Sequence, residues 1–275
     1  NIGLGFQTSL ELSRRGAVVT IACRSIEKGE LAIKRIRNEV PEARLNTMPL
    51  DLVNADSISS FSERFCAENE RLDILVCNAG VVNLDSRRLT TEGREMHMAT
   101  NHFGHFSLTG CLFPIIKSTE GARVVVLSSL AYQQGVIDFT DLDWNKRKYD
   151  RMKCYGDSKL ANLLFMIELN RAFERCGASA IAVAAHPGLT ATERQQSIGI
   201  GGVLARWLAS PVEKGCLPQL LAATEPAVRA GEFYGPRYGL LGKPSKISLK
   251  PNAKDSEVSK KLWEFSETVT GVRYL

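Results

Sequence analysis

Arg123-Val-Val-Val-Leu127 is the stretch that most constrains the fold. An unbroken run of β-branched and aliphatic residues has no polar face, so it reads as a strand buried on both sides, the kind found in parallel sheets covered by helices. Similar short apolar runs recur at 17–23, 45–50, 72–77 and 181–185, and segments of helical periodicity separate them. Strands alternating with helices predict βαβ units and an α/β fold, a three-layer doubly wound sheet that is mostly parallel. With 44% hydrophobic and 24% charged residues, a chain of 275 residues can bury one such core as a single domain over 1–275.

Charge and cysteine usage narrow the setting. The formal net charge is +5, and Lys and Arg are read as spread along the chain, so nucleic-acid binding is not indicated. Seven cysteines stand far apart without CxxC spacing, as expected of thiols in a reducing, cytoplasmic compartment. His97, His102 and His105 lie near one another in sequence, but no carboxylate or cysteine is read as completing a ligand set, and no metal is expected. No apolar run is long enough to span a bilayer, which points to a soluble protein and leaves room for peripheral membrane association. The chain opens at Asn1 and enters a glycine turn at once. The first strand of the expected sheet is therefore read as missing from the recorded sequence.

The candidate site residues follow the strands, at the edge where open parallel sheets bind ligands. Gly3-Leu4-Gly5 runs into a helix reaching Arg15, where small residues admit a phosphate and the helix N-terminus favours its charge. Arg24 directly follows the strand at 17–23. No carboxylate stands there to hold a ribose, and a guanidinium matches a 2′-phosphate, so NADP(H) is preferred over NAD(H) as the nucleotide. Asp51-Leu52 follows the next strand; Asp51 can accept from an adenine amino group or cap a helix, a task for which Asp56 and Ser57 look better placed. Asn78-Ala79-Gly80 would let backbone approach the cofactor. Asn101 and Gly104 interrupt a helical pattern over 92–117, as a local kink or a tolerated imperfection would.

Ser129 ends the run at 123–127, and Tyr155 and Lys159 lie one turn apart on one helix face. At an effective dielectric of about 20 and a separation of about 4 Å, an ammonium would stabilise a phenolate by roughly 4 kcal/mol, about three pKa units. That would bring Tyr155 towards the range where general acid–base work is efficient. The same spacing also suits an ordinary amphipathic helix with a packed ring and a solvated amine. Pro187-Gly188 follows the strand at 181–185. Thr190 then enters a stretch, 190–215, whose glycines and apolar positions, among them Trp207 and Leu208, read as a substrate lid. Residues 242–254 read as a surface loop, and Asp255 caps a closing helix.

Taken in order, Gly3/Gly5, Asn78-Ala79-Gly80, Asn101, Ser129, Tyr155-x-x-x-Lys159 and Pro187-Gly188 make the chain resemble the short-chain dehydrogenase/reductase family over essentially its whole length. Ala22-Cys23-Arg24, the run YGDSKLAN from Tyr155, His186-Pro187-Gly188 and Lys261-Leu-Trp-Glu make it similar to the retinol-dehydrogenase and WW-domain-oxidoreductase-like branch. The resemblance implies a Rossmann fold and hydride exchange between a nicotinamide and a small alcohol or carbonyl, and the apolar lid makes a lipophilic one the expectation. It implies that Tyr155 exchanges the proton, Lys159 lowers its pKa and holds the ribose, Ser129 binds the substrate oxygen and Asn101 holds a water leading to Lys159. It also implies a homodimer through the helices around Asn101 and Tyr155. The 26 residues from Ser129 to Tyr155 are a wider interval than the family's usual one and similar to light-dependent protochlorophyllide reductases, so a reductase of a ring double bond is the alternative enzyme. A nucleotide-sensing homologue without chemistry is the alternative of another class.

Overall fold

The computed structural model describes residues 1–189 and 211–275. Among them seven strands form two sheets. β1 (Val18–Cys23) and β2 (Arg44–Pro49) pair in parallel, Val18 opposite Arg44 and Cys23 opposite Pro49. β3 (Ile74–Cys77), β4 (Arg123–Leu127), β5 (Ile181–Ala185) and β6 (Phe233–Pro236) run parallel in that order, and β7 (Pro244–Lys246) closes the edge antiparallel. The sheets divide between β1 and β3.

β4 shows why the fold is doubly wound. Its residues are buried on both faces: Val124 and Val126 enter one core while Val125 and Leu127 enter another. β5 repeats the pattern, with Ala182 and Ala184 on the first side and Val183 and Ala185 on the second. A strand with side chains of period two needs helices on both faces to cover such a sequence. The first core takes Leu160, Leu163, Leu164 and Phe173 of a long helix, α7 (Arg151–Arg175), and Phe106, Leu108 and Leu112 from the segment before β4. The second takes Ala222 and Ala223 of α8 (Leu217–Thr224). The closing helix α9 (Ser256–Thr270) is capped by Asp255, as expected, and its Trp263 stacks on Phe165, meets Phe106 edge-on and packs tilted against Tyr274.

The other helices follow the sequence reading with shifted ends. α1 (Gly3–Arg14) stops before Gly16, whose φ is +79°, and α2 (Ile26–Glu39) starts from a Ser25 cap. α3 (Ala55–Glu68) is capped by Asn54, which accepts from Ser57 N–H, so neither Asp56 nor Ser57 is the cap. The helix expected from residue 92 begins at Met96, because Glu95 caps it and pairs in a bridge with Leu89. It comprises α4 (Met96–Met98), a π-helical turn (Ala99–Phe103) and α5 (Gly104–Cys111), followed by α6 (Phe113–Ser118). Of the two readings at Asn101, the π-turn fits the local distortion, and Gly104, the first residue of α5, packs against the Leu52 carbonyl. The stretch read as a surface loop from 242 contains β7, because Lys246 pairs across from Tyr234. Thr190 and most of the expected lid, up to residue 210, lie outside the described residues.

Candidate active site

Lys159 and Tyr155 lie on one face of α7, and helix and strand fix them together. Ser128 Oγ donates to the Lys159 carbonyl at 2.8 Å and thereby ties α7 to the end of β4. The Leu127 carbonyl accepts from Lys159 Nζ at 3.1 Å and from Asn162 Nδ2 at 2.9 Å. The amine therefore points at the strand end and lies 5.5 Å from the centre of the Tyr155 ring. Burial pulls the Lys159 pKa down to about 8. Burial also pushes the Tyr155 phenol up to about 12, with the Ser129 hydroxyl that hydrogen-bonds it pulling the other way.

Here the structure corrects the sequence argument. The two side chains share a face and Ser129 meets the phenol, as expected, but the phenol shifts upward. The ammonium sits over the ring, committed to a carbonyl, and desolvation of a buried anion outweighs what attraction remains at that geometry.

Asn101 also joins two elements through its side chain. Its Oδ1 accepts from Val81 N–H at 2.6 Å, and its Nδ2 donates to the Val81 carbonyl and to Ser158 Oγ, both at 2.9 Å. Both amide protons and one oxygen lone pair clamp the segment after β3 to α7, and the second lone pair of Oδ1 still leaves an acceptor for a water. The Asn101 carbonyl accepts from His105 Nδ1 at 3.0 Å. A carbonyl can only accept, so that nitrogen carries the proton, and burial holds the imidazole neutral with its pKa near 4. His105 Nε2 is then an acceptor on a side chain lining the cavity that Lys159 and Tyr155 also line.

That cavity, of about 1610 Å³, runs along the strand ends and down between the two sheets. Gly3, Leu4, Gly5, Arg24, Asp51, Leu52, Asn78, Ala79, Gly80, Pro187 and Gly188 all line it. Arg24 is exposed at the end of β1 and has no ion-pair partner among the described residues. Asp51 makes a local turn, accepting from Val53 N–H at 3.2 Å, and its own N–H donates to Ser57 Oγ.

A dinucleotide fits these residues. α1 has no side-chain cap and no acidic residue in its first turn, so its leading N–H groups remain for an anion. At Gly80 a Cβ would stand 3.0 Å from Asn101 Oδ1 and 3.6 Å from Lys159 Nζ, so the cradle beside the amine admits backbone alone.

Several residues that matter escaped the sequence reading. Asp157, buried inside α7, accepts from Val136 N–H and Trp144 Nε1 and so holds the insertion after Ser129 against the helix. Gln219 of α8 donates to Thr8 and Asn78, joining α1 to the end of β3. Glu95, His97 and Cys154 bring ligand-type atoms within 4.8 Å of one another. A carboxylate and a cysteine thus do accompany His97, contrary to expectation, because Cys154 is brought in from α7. Glu95 already accepts from His97 Nδ1 and two backbone N–H groups, and the Cys154 thiol, raised by burial and by Glu95, keeps its proton. The trio packs behind Tyr155, whose ring centre lies 6.1 Å from that of His97, and His97 Nε2 is left buried without a partner among the described residues. Alternation could not reveal these partners, since each joins residues distant in sequence or hidden in an apolar helix.

Comparison with known proteins agrees with the geometry. A family model described as short chain dehydrogenase matches residues 1–201. Retinol dehydrogenase 13 of Homo sapiens is 38% identical over 99% of this chain and 82% of its own length. Retinol dehydrogenase 12 of Mus musculus is 38% identical over the whole chain and 85% of its own length. A crystal structure of an uncharacterized protein from Mycobacterium paratuberculosis superimposes with a TM-score of 0.84 at 34% identity, covering 100% of this chain and 91% of that one.

Proposed function

The chain belongs to the short-chain dehydrogenase family, in its retinol dehydrogenase-like branch, and from that premise we propose an NADP(H)-dependent oxidoreductase acting on a lipophilic alcohol or carbonyl. That the chain is an oxidoreductase of CH–OH or C=O groups follows from the family; the choice of NADP(H) and of a lipophilic substrate is our reading. The observation that carries it is the meeting of Tyr155, hydrogen-bonded by Ser129, and Lys159 in one cavity that Arg24, without an ion-pair partner among the described residues, also lines.

When bound, the nicotinamide supplies or takes the hydride; every other part of the chemistry belongs to the chain. The leading N–H groups of α1 would hold the pyrophosphate, Arg24 the 2′-phosphate, and Asn78, Ala79 and Gly80 the nucleotide's inner half. Leu4 and Leu52 would flank it, Asp51 would accept from the adenine amino group, and Pro187-Gly188, with Thr190, would border the nicotinamide end. Tyr155 carries its proton at neutral pH and donates it to a carbonyl oxygen during reduction. Ser129, hydrogen-bonded to that phenol, orients the same oxygen. Lys159, a cation at pH 7, stabilises the phenolate left behind. Asn101 acts by position, holding Val81 and Ser158.

Lipophilicity is supported by the retinol dehydrogenases among the relatives and by the apolar residues of 190–215. The seven free cysteines support a cytoplasmic setting, and we extend the reading to a homodimer through the helices bearing Asn101 and Tyr155. Tyr155→Phe is expected to lose at least about 100-fold in kcat while NADPH binding, followed by fluorescence titration, stays within a factor of about three; retained turnover would refute the assignment. Arg24→Asp is expected to weaken NADPH binding by about tenfold or more, the scale of one charge-assisted bond, and to favour NADH. Unchanged selectivity would show that Arg24 is a surface charge.

A further inference from the structure

We propose that the β6–β7 turn docks this protein on an anionic lipid bilayer, with Tyr238, Leu240 and Leu241 entering the interface and Arg237 and Lys243 meeting headgroup phosphates. Residues 233–254 contain five cations, Arg237, Lys243, Lys246, Lys250 and Lys254, and no Asp or Glu. Those five equal the whole formal excess of +5, so the rest of the chain is balanced. The spread read from the sequence therefore hides one concentration of unbalanced charge. All five are exposed, and among the described residues Lys246 alone of them has an ion-pair partner, Glu232 at 2.6 Å.

The same segment carries the apolar tip. Tyr238, Leu240 and Leu241 are 79%, 51% and 42% exposed within four consecutive residues. The turn holds them there by its own backbone: Arg237 N–H donates to the Lys243 carbonyl at 2.9 Å, Tyr238 N–H to Leu241 at 3.0 Å and Gly239 N–H to Pro236 at 2.8 Å. An ordered turn that presents three large apolar side chains to water is an interaction surface. Cations flanking apolar side chains, with no acid between, complement the boundary of an anionic bilayer, where phosphates overlie hydrocarbon. The turn also borders the site, since the Leu240 carbonyl accepts from Leu189 N–H at 3.1 Å, one residue beyond Gly188. Docking would turn that end of the cavity towards the membrane.

Cosedimentation of the 275-residue chain with vesicles of phosphatidylcholine alone, or of phosphatidylcholine mixed with phosphatidylglycerol, tests this without turnover, so its outcome is separate from that of the assigned reaction. Binding is expected to the mixed vesicles, weakening as salt rises. Arg237→Gln with Lys243→Gln should lower the affinity by about tenfold or more, and Leu240→Ser with Leu241→Ser by a similar factor. Lys117→Gln with Lys153→Gln, exposed cations elsewhere, should leave binding unchanged. Failure to bind either vesicle, binding that the turn variants share equally with the control, or capture by an acidic polypeptide in place of the vesicles would overturn the proposal. Thermal melts matching the parent chain would show that the turn variants fold.

Discussion

Lys159 must be buried enough to stand beside a cofactor and charged enough to help a phenolate, and its pKa near 8 marks the compromise. The sign for activity follows from two groups. Reduction needs a protonated Tyr155, which persists until the pH approaches 12, and a cationic Lys159, which is lost above about 8. The rate of carbonyl reduction should therefore fall as pH rises through about 8; a profile flat to pH ~10, where an unperturbed lysine titrates, would show that Lys159 charge is not needed. Asp141 illustrates the opposite case. Burial pushes its carboxyl up, but N–H groups of Lys146, Arg147 and Asn145 and the Arg147 guanidinium outweigh that and bring it to about 2, from an ordinary 3.8. Its folded pKa is depressed, so its stabilisation is present above pH ~4 and is lost as pH falls from there towards 2. Asp141→Asn should narrow the difference in thermal midpoint between pH 7 and pH 3; an unchanged difference would exclude this residue as a source of acid lability.

At the scale of elements, the contact between α7 and the 3₁₀ turn Leu130–Gln134 decides where the phenol stands. Gly156 makes it: a Cβ there would lie 2.7 Å from the Ala131 carbonyl. Glycine to alanine inside a helix normally stabilises, yet Gly156→Ala is expected to cost about 1–3 kcal/mol and to reduce kcat, because overpacking would move Tyr155 away from Ser129. An unchanged melt and rate would show that the contact yields freely. The strands and most helices were legible from alternation, because β4 and β5 are apolar on both faces and their ends are sharp. Tyr155, Lys159, Ser129 and the residues lining the nucleotide cavity were legible for the same reason, each standing just past a strand or one turn from another. The upward shift of the phenol was not, since it depends on where Lys159 Nζ finds its acceptor. Nor were the Asn101 clamp on Val81 or the Asp157 anchor, whose partners come from loops. β7 was hidden because its three residues, Pro-Ser-Lys, carry no strand pattern and take their strand form from pairing with β6.

Across the whole molecule, the residues around the cavity come from both sheets: Arg24 from the end of β1, Asn78 from that of β3 and Lys159 from the helix over β4. A ligand spanning them binds only the assembled form, so NADPH at about 100 times its dissociation constant should add about 2.7 kcal/mol to stability. A thermal midpoint unmoved by NADPH would contradict a cofactor seated across the two sheets. Among the described residues β1 pairs with β2 alone, and a two-stranded ribbon is weakly protected by itself. Opening of that half therefore need not await global unfolding. Amide protons of β1 and β2 should exchange for deuterium sooner than those of β4 and β5, and a nucleotide that laces the halves together should slow the first pair far more than the second.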